Sequence, residues 1–114
     1  MQYLLILSED PELIAGAEPP LNPVERVGEF ATGLVAEGVL RGGSPLRPVE
    51  EGKRVRVREG RKRVIDGPFA ETKEVIAGYM ILEAPDMGTA VDIALRCPNA
   101  EFGSVEVREI VPMG

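Results

Sequence analysis

The sequence predicts an α+β domain, an antiparallel sheet with two helices on one of its faces. An apolar run near the N-terminus reads as a strand buried on both sides, and two amphipathic segments with capping residues read as helices. Further segments with strand-type patterning separate and follow those helices. At 114 residues, 44% apolar and 28% charged, the chain has the composition of one globular domain spanning 1–114. No linker, repeat or low-complexity stretch divides it.

The first strand is Tyr3-Leu4-Leu5-Ile6-Leu7, ended by Ser8-Glu9-Asp10-Pro11. Asn22 then offers a helix N-cap, Pro23 suits the first helical position, and Glu25 can return a hydrogen bond to the cap. Val27, Phe30, Ala31, Leu34 and Val35 make the apolar stripe, and Gly38 closes the helix. A turn-rich connection through Gly42, Gly43, Pro45 and Pro48 leads to Arg54-Val55-Arg56-Val57-Arg58, which alternates strictly. Glu59-Gly60 turns this strand into Arg61 to Ile65, giving a hairpin that is either an addition to, or half of, a βαββαβ plan. After Asp66-Gly67-Pro68, the segment Val75 to Leu82 forms a strand that is apolar on both faces. Asp86 caps a second helix with Met87, Ala90, Val91, Ala94 and Leu95 on one stripe, and Pro98 prevents its continuation. Gly103 to Val111 alternates Val105 and Val107 with Glu106 and Arg108, a strand with one solvated face. Two helices cover one face of this sheet, yet two strands present apolar residues to both. A second copy of the chain is the expected cover, giving a homodimer with facing sheets.

Histidine is absent, which excludes Ser-His and Cys-His nucleophile pairs, histidine metal sites and an imidazole base. Carboxylates without histidine make a poor metal site, so neither metal nor cofactor is expected. Cys97 is the single cysteine and makes no internal disulfide. A reducing, cytoplasmic compartment is expected, with no membrane segment. Before Pro98 at a helix end, Cys97 reads as a small buried hydrophobe rather than a reactive thiol. The net charge is −6, but Lys53 to Arg63 carries seven basic residues against one glutamate, leaving −12 on the remainder. An acidic chain whose basic stretch has no interleaved aromatics is not expected to bind nucleic acid. Arg54, Arg56 and Arg58 share a strand face that is either solvated or suited to an acidic protein partner.

The chemistry-bearing segment runs from Asp66 to Glu74. Asp66 or Glu71 is the expected proton-transfer carboxylate, with Lys73 or Arg41 stabilising developing negative charge. Arg41, Phe69, Glu74 and Tyr79 are the expected ligand-binding residues around them. A purely structural reading stands beside this one, with Asp66 closing a turn and Phe69 anchoring the loop in the core.

Asp66-Gly67-Pro68-Phe69, followed by Glu71, Lys73 and Glu74, resembles the signature of the DGPF group of YCII-related proteins. The similarity covers most of the chain. It includes Gly38-Val39-Leu40, Val55-Arg56-Val57-Arg58, Arg96-Cys97-Pro98 and Gly103-Ser104-Val105-Glu106-Val107-Arg108. The resemblance implies a ferredoxin-like fold of the dimeric α/β-barrel superfamily, whose members include isomerases, dehydrochlorinases and monooxygenases of small organic molecules. The His and Asp pair of enzyme-like members is not carried over, because histidine is absent and Cys97-Pro98 stands where that branch has Asp-Pro. Two functions are therefore expected. One is a homodimer that binds a small molecule near the DGPF loop and transforms it by isomerase- or lyase-like chemistry. The other, which the resemblance also implies, is a non-catalytic regulatory protein such as an accessory to an alternative sigma factor.

Overall fold

Tyr3, Leu5 and Leu7 alternate with Leu4 and Ile6 along the first strand, β1 (Gln2–Glu9), and burial follows the alternation. The first set is buried against the helices, while the second is half-buried on the opposite face. In the computed structural model, which describes residues 1–69 and 73–113, β1 is an inner strand paired antiparallel on both sides. Its neighbours are β5 (Val75–Glu83) and β6 (Gly103–Glu109), with β2 (Leu40–Pro45) completing the order β2-β5-β1-β6. β3 (Lys53–Arg58) and β4 (Arg61–Asp66) form a separate two-stranded ribbon.

Among the described residues four α-helices accompany the strands, α1 (Pro11–Ala15), α2 (Pro23–Glu37), α3 (Met87–Leu95) and α4 (Asn99–Phe102), with a single 3-10 turn at Val49–Glu51. The caps explain where the two long ones start and one of them ends. Asn22 accepts from the Glu25 amide, Asp86 accepts from the Thr89 amide, and Gly38 takes the left-handed conformation after α2. Leu34 of α2 and Ile93 and Ala94 of α3 meet Leu5, Leu7, Met80 and Leu82 of the sheet in one core. This is a ferredoxin-like α+β arrangement with the ribbon inserted between β2 and β5. None of the described helices is long and apolar enough to cross a membrane.

The structure departs from the expected elements in three places. Residues 40–45, read as a turn-rich connection, form the edge strand β2. Gly-Gly-Ser-Pro carries little strand signal, and the strand exists because its backbone pairs with β5. Gly43 has φ +147, and a Cβ there would lie 2.5 Å from the Tyr79 carbonyl oxygen. Second, two short helices, α1 and α4, stand where the sequence suggested only loops, whereas the hairpin takes the first of its two expected places, as an addition to the sheet. Third, Phe69 is half-buried beneath the Arg54 guanidinium, 4.2 Å from its ring centre, rather than anchored in the core.

Two outcomes follow. Gly43→Ala, strained by both φ and contact, is expected to lower unfolding free energy by about 1–3 kcal/mol, read by urea denaturation; an unchanged midpoint would contradict the close approach. Cys97 is buried, its thiol hydrogen-bonded to Asn99 Oδ1 at 3.6 Å, and burial pushes its pKa up. Its alkylation at mildly alkaline pH is expected to be slow in the native protein and fast in denaturant.

Candidate functional site

The helix-facing side of the sheet is not covered evenly. α3 and α4 lie over β1 and β6, whereas the β2–β5 side has α2 above it. Beneath the first turns of α2, where Ala77 and Gly78 of β5 supply little side chain, a cleft of about 710 Å³ opens. Pro23, Val24, Val27 and Ala31 of α2 form its roof, residues 75–80 of β5 its floor, and residues 43–50 one side. Phe69 and Lys73 complete it near the end of β1. The walls are mainly apolar, and the volume falls within the range of small-molecule sites, about 300–1,000 Å³.

The polar groups gather at the end of β1. Glu9 continues the parity of Tyr3, Leu5 and Leu7, and it lines the cleft. Its carboxyl has no hydrogen bond or ion pair among the described residues. Desolvation raises its pKa above the ordinary value of 4.5. The next residue, Asp10, is buried, caps α1 by accepting from the Glu12 amide at 3.0 Å, and sends its own amide to the Phe102 carbonyl at 2.8 Å. Lys73 reaches the other Asp10 oxygen at 3.4 Å and Glu12 at 3.7 Å. The hydrogen bond and charge of Asp10, then the charge of Glu12, hold the ammonium above the ordinary lysine pKa. Asn99, also buried and lining the cleft, donates to the Ser8 carbonyl at 3.2 Å.

The structure brings some of the expected site residues together and separates others. Lys73 and Phe69 line the cleft; Tyr79 touches it too, although its register opposite Ile6 and Ser44 assigns its ring to the open face of the sheet. Asp66 stands outside the cleft on the exposed ribbon and bonds Lys53 at 2.6 Å, an interaction that lowers its pKa. Arg41 donates to the Gly38 carbonyl at 2.8 Å, and Glu74 accepts from the Ser104 hydroxyl; neither lines the cleft. Glu71 lies outside the described residues. Glu9, Asp10 and Asn99 are the groups that sequence reasoning missed. The signal for Glu9 was present, because extending the inward positions 3, 5 and 7 by two places it on the core side. Among the described residues no group of three or more carboxylates or thiols is arranged to hold a metal ion.

Comparisons with known proteins agree with this architecture. A solved structure of 5-chloro-2-hydroxyhydroquinone dehydrochlorinase (TftG) from Burkholderia phenoliruptrix, in complex with 2,5-dihydroxybenzoquinone, shares the fold at TM-score 0.55 and 12% identity. The match covers 97% of this chain and 94% of that one. An uncharacterized protein of Rhizobium meliloti (strain 1021) is 36% identical over 78 residues, which span 67% of this chain and 63% of the relative. The family description "YCII-related domain" matches residues 1–114. With strand order, helix placement and sequence match all in agreement, the chain belongs to the YCII-related family.

Proposed function

We propose that this protein binds a small, largely apolar organic molecule in the cleft and moves a proton on it, with isomerase- or lyase-like chemistry. One observation carries the reading. An apolar cleft of about 710 Å³ contains, near the end of β1, a carboxyl that has no partner among the described residues and an ammonium held charged by two carboxylates. A carboxyl of raised proton affinity can accept a proton from a weakly acidic carbon or hydroxyl and return it elsewhere, while a fixed ammonium stabilises the oxyanion formed in between. In this reading Glu9 is the proton-transfer group, Lys73 the oxyanion partner and Phe69 part of the apolar wall. Asp66 instead ties the ribbon closed through Lys53. The dehydrochlorinase with the same fold, bound to a dihydroxyquinone, supports a small cyclic organic ligand whose oxygens an ammonium can meet.

The reading extends to the assembly. Leu4, Ile6, Tyr79 and Ile81 are in register on the open face of the sheet, and a second copy of the chain is the proposed cover. Within the family, Asp66-Gly67-Pro68-Phe69 favours the DGPF group. A single buried cysteine suits a cytoplasmic location.

Gly28 faces the cleft with nothing within 4 Å of where a Cβ would stand. Gly28→Leu is therefore expected to fill the cleft while favouring α2 by roughly 0.5–1 kcal/mol. Calorimetric titration with 2,5-dihydroxybenzoquinone as probe should show binding to the parent protein and none to this variant; equal binding would place the site elsewhere. Native mass spectrometry of gently purified protein should reveal a retained compound. Glu9→Gln should keep that adduct and lose solvent-deuterium incorporation into it by roughly 10²–10⁴-fold. The raised pKa also has a stability consequence. A carboxyl that holds its proton more tightly in the folded state loses stability as pH rises from 4.5 through the native value. Glu9→Gln should accordingly raise the thermal midpoint at neutral pH, and the gain should vanish below pH 4.5.

A further inference from the structure

The β3–β4 ribbon lacks what a ribbon needs to be stable. Its strands pair with each other and not with the four-stranded sheet. An isolated two-stranded hairpin is marginal in water even when its side chains cooperate, and here they conflict. Register places Arg56 directly opposite Arg63 and Arg58 directly opposite Arg61, with Arg54 on the same face. Like charges facing each other across a strand pair are destabilising, and no carboxylate shares that face of the ribbon. The reverse face carries Val55, Val57 and Val64, which are 75%, 57% and 66% exposed, together with Lys62 opposite Val57 and the Lys53–Asp66 pair at its base. The chain therefore projects an arm whose valine face is exposed and whose arginine face meets the body at its base, where Arg54 lies over Phe69, leaving Arg58, Arg61 and Arg63 exposed at its tip. The radius of gyration, 15.9 Å, exceeds the roughly 13 Å of a compact domain of this length.

We infer that the β3–β4 ribbon is a docking arm that packs on a second copy of this chain, its arginine face against the acidic surface of that copy. Two observations select this occupant. The chain outside 53–63 carries −12, so each copy supplies the countercharge that the other's arm requires. A ribbon this poorly self-supported also needs a cover that is present whenever the chain is, which a second copy provides. The arm leaves the body beside the cleft, since Arg54 lies over Phe69, so the docked copy stands at the rim of the candidate site. This inference rests on the self-association proposed above and adds its contact.

Hydrogen exchange on the full, unmodified chain, followed across a serial dilution whose oligomeric state is read by light scattering, tests both. The expected result is that amides of residues 53–66 exchange roughly tenfold or more slowly in the dimer than in the monomer. The combined variant Arg56→Glu, Arg58→Glu, Arg61→Glu and Arg63→Glu should raise the dimer dissociation constant by roughly tenfold or more, as should high salt with the parent chain. A dimer whose ribbon exchanges as fast as in the monomer overturns the docking arm and leaves self-association through the open face standing. A chain that stays monomeric at every concentration overturns both. Unchanged dissociation of the folded variant, its ribbon still protected, removes the charged contact and with it the proposal.

Discussion

The architecture around the cleft depends on how the chain leaves β1. Asp10 is almost fully buried, and a buried carboxylate is tolerated only when its hydrogen-bonding capacity is met. One oxygen takes the Glu12 amide and thereby starts α1; the other takes Lys73 and thereby fixes the approach to β5. The Asp10 amide meets the Phe102 carbonyl, and Asn99, three residues before Phe102 at the start of α4, closes on the Ser8 carbonyl, tying α4 to the same point. The start of α1, Lys73 and α4 thus converge on Ser8 and Asp10 at the end of β1. Removing one partner would leave a charge or a carbonyl buried without compensation, so the node holds as a unit.

Glu9 sits beside this node with the opposite electrostatics. Asp10 is surrounded by donors, whereas Glu9 faces apolar walls and meets none among the described residues. Neighbouring carboxyls thus stand in contrasting surroundings, one among donors and one against apolar walls. The first anchors the Lys73 ammonium; the second faces the cleft.

Much of the fold was legible in the sequence because its signals are local. Asn22, Pro23 and Gly38 bound α2 by capping chemistry, Asp86 starts α3, and the alternation of Arg54 to Arg58 marks a strand. β2 was not legible, since Gly42, Gly43 and Pro45 signal a turn and become a strand through pairing with residues about 37 positions away along the chain. The site was legible only in part for the same reason. Lys73 and Phe69 sit in a segment crowded with charges and turn formers, which drew attention to it. Glu9 and Asp10 were masked by their neighbours, because Ser8-Glu9-Asp10-Pro11 reads as the end of a strand when only composition is weighed. Asp66 shows the converse: a charged turn signature marked a fold-closing contact, the bond to Lys53.

The neck of the ribbon carries a consequence for how such chains diverge. The Gly67 amide donates to the Gly52 carbonyl at 2.9 Å, so the main chain re-enters the body close to where it left. Everything between those glycines can lengthen, shorten or be exchanged without altering the spacing that β2 and β5 require, much as an interchangeable fitting leaves its socket unchanged. The body and the cleft evolve under the constraint of packing, while the insert evolves under the constraint of whatever it touches.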